Sequence, residues 1–422
     1  MDYMKFLGAF LFYYPVIMSM FWIIGGIFFY FRREYKQPHH PQLENFPLVS
    51  ILIPARNEEQ DIEDTVRSIF TTEYPNFEVI VINDASTDNT LKILRDMQLR
   101  YPTLRVLNLI TNLGKANALN HALPMTAGDI ILTIDADSML DPWAIHWGVW
   151  HFENFPRVGA VTGNPRVRNR SSLLAKIQTA EYSSVIGLIK RTQRLVGKVM
   201  TVSGVIAAWR KRALVEVGGW STDMITDDID MTWKLEKKFW DIRYEANMLC
   251  WMLVPESIYG LWRQRKRWAQ GGMEVIRKHA NIFLSYKNRR LWPLYLDYCL
   301  GICWAYSFVL AVTVFLLSLV INIDANYAAY GNPFPFWNGS VVAIICLLQF
   351  CVSLMLDSRY DNNLYKLYFW VIWYPVIYWV YNSLAVVGAT PAVITKKFGK
   401  DAVWTSPDRG IRGNENATNN KQ

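Results

Sequence analysis

Residues 6 to 31, FLGAFLFYYPVIMSMFWIIGGIFFYF, contain no charged side chain. As a helix this stretch is long enough to cross the ~30 Å hydrocarbon core of a bilayer, where only a helix or a closed barrel satisfies its own backbone. RREYK follows at once, and its basic residues place that end in the cytoplasm. No small-residue cleavage site is evident, so the segment reads as an uncleaved anchor. Apolar runs of near-spanning length return at about 298–322, 339–356 and 364–389. The last contains Pro375, which points to a broken or re-entrant passage. Counting it as a full crossing would put the basic KKFGKDAVWTSPDRG outside, against the positive-inside preference, so the tail is expected in the cytoplasm.

The organisation expected is an anchor (1–35), a large soluble domain (46–255), interfacial amphipathic helices (256–293), a membrane block (294–390) and a polar tail (391–422), disordered after Asp408. The net charge of +8 concentrates beside the membrane runs, in RQRKRW and KNRR, where the anionic lipid bilayer attracts it. Nothing resembles a nucleic-acid recognition motif, so no nucleic-acid partner is expected. Cys299, Cys303, Cys346 and Cys351 lie in membrane runs and Cys250 in an apolar, strand-like one. They lack zinc-site spacing and read as buried structural thiols. His39, His40, His121, His146, His151 and His279 form no metal pattern.

In the soluble domain LVSILIPARNEE is a buried strand and a polar loop, followed by DIEDTVRSIF with helical apolar spacing. FEVIVINDAS, LRVLNLI and DIILTIDAD repeat the strand, with helices between them. Such alternation predicts an α/β fold with a parallel sheet, right-handed crossovers and a ligand beyond the carboxyl ends of the strands. Asp135 and Asp137 end the fourth strand two residues apart, so both address one side. A solvated turn is the plain alternative. Glu58 and Asp84 end other strands of the sheet, however, and carboxylates converging on one edge call for a hard divalent cation such as Mg²⁺ beside a diphosphate.

ARNEE, INDASTDNT, NLGKANALN, DAD, TDDID and QRKRW, in that order, resemble the motif set of the processive family 2 glycosyltransferases, which include cellulose, chitin and hyaluronan synthases. GAVTGNPRVRNRSSLLAKIQTAEYSSVIGLIKRTQR, TVSGVIAAWRK, RWAQGG and WTSPDRG resemble the subfamily that makes bacterial poly-β-1,6-N-acetylglucosamine, a biofilm exopolysaccharide. The resemblance runs from the first membrane segment to about Gly410. It implies a Rossmann-like GT-A domain at 46–255, carried by transmembrane helices at both ends.

It also implies roles. Glu58 and Asp84 resemble uridine contacts, and Lys115 a cation near the nucleotide diphosphate; helix capping and a solvated lysine are the alternatives. In the DxD pair Asp135 lies near sugar or nucleotide and Asp137 more directly ligates Mg²⁺ or Mn²⁺. Asp228 stands at the general-base position, with Asp227 in support where most relatives carry Glu; a solvated helix start is the alternative. Gln264, Arg267 and Trp268, at i, i+3 and i+4, share one helix face toward the acceptor, on a helix that also lies in the membrane interface. UDP-N-acetylglucosamine and the growing glycan are the implied substrates. A small membrane partner subunit, cyclic di-GMP control and a bacterial inner-membrane location are implied likewise. A synthase of another polysaccharide and a non-catalytic polysaccharide channel stay open, whereas the missing phosphate loop argues against an ATP-driven transporter.

Overall fold

The computed structural model describes residues 2–38, 40–321, 338–372 and 374–401. Its centre is a sheet of eight strands: β1 (Val49–Ala55), β2 (Phe77–Asp84), β3 (Leu104–Leu109), β4 (Ile130–Ile134), β5 (Met139–Leu140), β6 (Val158–Val167), β7 (Ile206–Arg210) and β8 (Asp241–Met252). Their order is β3-β2-β1-β4-β7-β6-β8-β5. β1 is buried at every position because both faces of the sheet are covered. Ile51 and Ile53 pack into a layer with α2 (Ile62–Ile69), α3 (Thr90–Arg100) and α5 (Ala144–Asn154). Leu52 joins the opposite layer, with α4 (Lys115–Ala122), α8 (Lys211–Glu216) and α9 (Asp227–Lys237).

The expectation of a parallel sheet holds for β3, β2, β1 and β4 and for β6 beside β8; it fails at the short β5, antiparallel to β8, and at β7, which runs antiparallel to both β4 and β6. The reason lies in the connection. After β6 the chain leaves the sheet as α6 (Leu173–Tyr182), a π-helical turn (Ser183–Leu188) and α7 (Ile189–Val196), which pack against the membrane helices rather than across the sheet. It returns to the edge it left, and such a return forces antiparallel pairing.

Among the described residues four helices are long and apolar enough to cross a membrane, over Lys5–Glu34, Tyr286–Ser318, Gly339–Asp357 and Ile377–Thr395. They correspond to α1 (Asp2–Phe29, continued by a π turn to Glu34), α11 (Trp292–Ser318), α12 (Asn338–Asp357) and α13 (Tyr374–Thr395). The apolar run at 364–389 is divided: a 3₁₀ segment, Leu364–Val371, precedes α13. A Cβ at Gly25 would lie 2.3 Å from Thr192 Cγ2, so only glycine lets α1 approach α7 this closely. At the ends of α1 and α12, Arg191 donates to Glu34 (2.7 Å) and Asp357 (2.7 Å), and Arg166 of β6 also donates to Asp357 (2.5 Å). All four side chains are buried. Removing one partner would strand a charge, a loss of about 3–5 kcal/mol, so this cluster ties the spans to the sheet.

α10 (Ile258–Lys278) lies beside α13, and the two run in the same direction. Tyr381 donates to the Ile258 carbonyl (3.0 Å), Met273 packs on Ala389 and Val393, and Arg277 donates to the Val393 carbonyl (2.7 Å). Just past α13, Lys396 pairs with Glu274 (2.5 Å) and the Gly399 amide donates to Asp223 (3.2 Å). The start of α13 packs on Ala180 of α6, so both of its ends rest on elements of the sheet domain or its flanking helices. The tail motif WTSPDRG and His39 lie outside the described residues.

Candidate active site

The carboxyl end of β4 and the first turns of α4 and α9 surround a cavity of about 590 Å³. Glu58, Lys115, Asp135, Asp137, Asp227, Asp228, Gln264, Arg267 and Trp268 all line it. Residues separated by more than 200 positions in the chain thus meet in one space.

Asp84 is placed differently. Its carboxylate accepts from the Leu113 amide (2.8 Å) and the Gly114 amide (2.9 Å), and it is absent from the cavity wall. Gly114 has φ +86°, which only glycine adopts without strain. Asp84 therefore fixes the turn that opens α4 and presents Lys115. The Lys115 ammonium reaches Asp135 (2.5 Å) and the Gly204 carbonyl (3.0 Å). Burial alone would lower its pKa, but Asp135, Asp227 and Asp228 hold the charge on and raise it.

The carboxylates are under electrostatic load. Burial, with Asp135 adding to it, pushes Asp137 up to about 7. Burial pushes Asp227 up to about 6, with Lys115 opposing. Asp228 is raised for the same reason, again against Lys115. Asp137 is thus an acid that a cation would relieve. Among the described residues no cluster of three or more His, Cys, Asp or Glu side chains could hold a metal by itself. A pair of carboxylates does fit an ion whose remaining ligands are diphosphate oxygens and water. Asp230, the third acid of TDDID, turns away from the cavity to His279 (2.9 Å) and Lys278 (3.2 Å).

On α10, Gln264 keeps its buried Oε1 without a hydrogen-bond partner among the described residues. Trp268 is held from two sides. The Arg265 guanidinium lies 4.2 Å from its ring centroid, and Tyr182 meets it edge-on at 6.1 Å. Arg265 is itself buried on Glu181 (2.7 Å).

Several lining residues escape a reading of the sequence. Lys190 of α7 is buried and donates to Thr162 Oγ1 (3.0 Å). Burial pushes its ammonium down to about 7, and Asp228 opposes the fall. Tyr298 of α11 and Tyr378 and Asn382 of α13 extend the cavity to the membrane helices. An apolar helix with scattered Tyr and Asn gives no sign of which side faces a cavity.

Residues 47–271 match the family described as Glycosyltransferase like family 2. The poly-beta-1,6-N-acetyl-D-glucosamine synthase of Staphylococcus epidermidis is 42% identical over 409 residues, covering 95% of this chain and 98% of that protein. The protein of the same name from Staphylococcus aureus is 41% identical over 408 residues, with the same coverage. Among solved structures, the mannosyltransferase PcManGT from Pyrobaculum calidifontis, in complex with GDP-Man and Mn²⁺, superposes with a TM-score of 0.62 at 20% identity. It covers 92% of this chain and 99% of its own, a similarity of fold.

Proposed function

The chain belongs to the family 2 glycosyltransferases, and on that premise we propose that it polymerises UDP-N-acetylglucosamine into poly-β-1,6-N-acetyl-D-glucosamine. The convergence of Asp135, Asp137, Asp227, Asp228, Lys115 and the Gln264-Arg267-Trp268 face on one cavity carries this reading. The staphylococcal relatives of that name, matched along 95% of the chain, support the choice of sugar and linkage.

Lys115 suits the donor diphosphate, and Glu58 the uridine. Asp84 supports the same subsite through the turn it fixes. Asp135 and Asp137 are the residues to hold a divalent cation, Mg²⁺ or Mn²⁺, which when bound neutralises the leaving diphosphate. Asp228 is the base. It takes the proton of the acceptor's 6-hydroxyl as that oxygen attacks C1 of the donor, and the C1–O bond breaks with its electron pair leaving on UDP. One displacement inverts an α-linked donor into a β-linked product. Asp227 and Lys190 set the field around Asp228. Gln264 offers an acceptor to a sugar hydroxyl or amide, and the pinned face of Trp268 a platform for a sugar ring.

The continuation of the cavity to Tyr298, Tyr378 and Asn382 supports passage of the growing glycan between the spans. The reading places the protein in the bacterial inner membrane with the sheet domain in the cytoplasm. Because both ends of α13 rest against the sheet domain or its flanking helices, it places the C-terminal tail there too. A small membrane partner subunit and cyclic di-GMP control enter by family resemblance alone.

The test is UDP release by the full chain in membranes or lipid nanodiscs, given UDP-N-acetylglucosamine with Mg²⁺ or Mn²⁺. Release with this donor and little with UDP-glucose is expected. No release with any UDP-sugar would leave a non-catalytic channel as the better reading.

A further inference from the structure

A second cavity, of about 600 Å³, lies apart from the first, at the inner end of α1. Arg32, Arg33, Arg194 and Arg243 line it. Arg194 and Arg243 share a single carboxylate, Asp241, at 3.2 and 3.1 Å. Arg32 and Arg33 are exposed and pair with no acid among the described residues. Two acids also line the space, but both are engaged: Glu34 by Arg191 (2.7 Å) and Glu245 by His151 (2.9 Å). Guanidinium charge therefore exceeds carboxylate charge around the cavity. Burial and the neighbouring Arg194 and Arg33 accordingly lower the pKa of Arg243, against the pull of Asp241.

The inner wall adds an independent observation. Among the described residues the Tyr244 hydroxyl and His151 Nδ1 are buried polar atoms with no hydrogen-bond partner, on side chains only 3% and 6% exposed. Both residues line the same cavity. Leaving such groups unpaired costs about 1–3 kcal/mol each, a cost removed by a ligand that bonds to them. Like-charged guanidiniums with a hydroxyl behind them match the oxygens of a phosphate group, which arginine binds through paired donors. The position favours one source of that phosphate: Phe29, Arg32 and Arg33 line the cavity at the end of a helix long and apolar enough to cross a membrane.

We propose that this pocket binds a phosphate-bearing anion, the headgroup of an anionic membrane lipid. The lipid's phosphodiester lies among the four arginines, with Tyr244 donating to it from behind. The lipid would then brace α1 against β8 and the start of the sheet domain, outside the catalytic cavity.

The test is native mass spectrometry of the purified full-length protein, titrated with phosphatidylglycerol or phosphatidylcholine. Free glycerol 3-phosphate and inorganic phosphate serve as competitors. The wild type should retain phosphatidylglycerol in preference to phosphatidylcholine, and equal concentrations of the free phosphates should not displace it. Arg32→Gln with Arg33→Gln should weaken retention roughly fivefold per arginine removed. Tyr244→Phe removes one buried hydroxyl without changing charge or membrane insertion, and should weaken phosphatidylglycerol retention alone. Displacement by glycerol 3-phosphate would reassign the site to a soluble phosphate and overturn the lipid. Equal retention of both lipids, or unchanged retention in both variants, would overturn the site itself.

Discussion

Replacing Asp228 by asparagine keeps the shape of the side chain and removes its capacity to take a proton. The Asp228 carboxylate lies in the cavity with the Lys115 and Lys190 ammonium groups, and its Oδ1 accepts from the Ile229 amide at 2.9 Å. Asparagine can keep that amide bond, so the start of α9 should stay folded. The Lys115–Asp135 pair at 2.5 Å is untouched. Loss of one negative charge leaves Lys115 freer for a diphosphate, so donor affinity should hold or tighten slightly. Loss of positioned base catalysis should slow turnover by roughly 10²–10⁴, about 3–5 kcal/mol on the barrier. Initial rates at saturating UDP-N-acetylglucosamine, beside calorimetric binding of the donor, separate the two effects. A comparable loss in Asp227→Asn with Asp228→Asn still active would move the base by one residue. Retained rate in both variants would refute carboxylate-base catalysis, and a parallel loss of donor affinity would place Asp228 in the nucleotide site.

Asp137→Ala should abolish polymer formation, and chelation of the wild type should do the same; full activity in excess chelator would remove the cation from the account. Glu236 is buried, with Oε2 unpaired among the described residues and Oε1 on the Val199 amide at 3.0 Å, and burial pushes it from 4.5 to about 7 against the pull of Lys198. The folded state therefore holds this proton more tightly, and the resulting stability is full below pH 4.5 and lost as pH rises through about 7. At about 1.4 kcal/mol per unit that is a few kcal/mol, so Glu236→Gln should melt higher than wild type at pH 8.5 and about equally at pH 5, as read by tryptophan fluorescence. A single cysteine introduced near Ala402 should resist an impermeant thiol reagent applied from outside, because Lys396 and Gly399 are bonded to Glu274 and Asp223; labelling from that side would invert the tail.

Much of the site was legible because its spacings have geometric meaning. The Gln264 set at i, i+3, i+4 commits its side chains to one helix face, whereas Asp135 and Asp137 reach the same cavity from a turn after β4, closed by the Ser138 amide on the Asp135 carbonyl (3.2 Å), and not from the extended strand end that their i, i+2 spacing suggested. What surrounds these residues was not legible. Glu181 and Arg265, which pin Trp268, are 84 positions apart and belong to different helices. Lys190 sits in GLIKRTQR, where nothing local singles it out; the packing of α7 against α1 and β8 buries it and brings its ammonium to Thr162 of β6. Asp84 stands at a strand end as expected, but the Gly114 turn takes up its carboxylate, a bond that no local pattern announces. The four parallel strands followed from hydrophobic runs joined by helices. The reversal at β7 depended on where α6 and α7 find apolar partners, which is a property of the membrane helices and not of the strand.

The chemical structure of the product is the most direct test of the proposed activity. Membranes containing the full chain, given UDP-N-acetylglucosamine labelled at C1 with carbon-13, should yield a polymer for nuclear magnetic resonance. β-configured anomeric carbons bonded to O6 of the next residue are expected. A polymer joined through O3 or O4, or α-configured anomeric carbons, would contradict that activity.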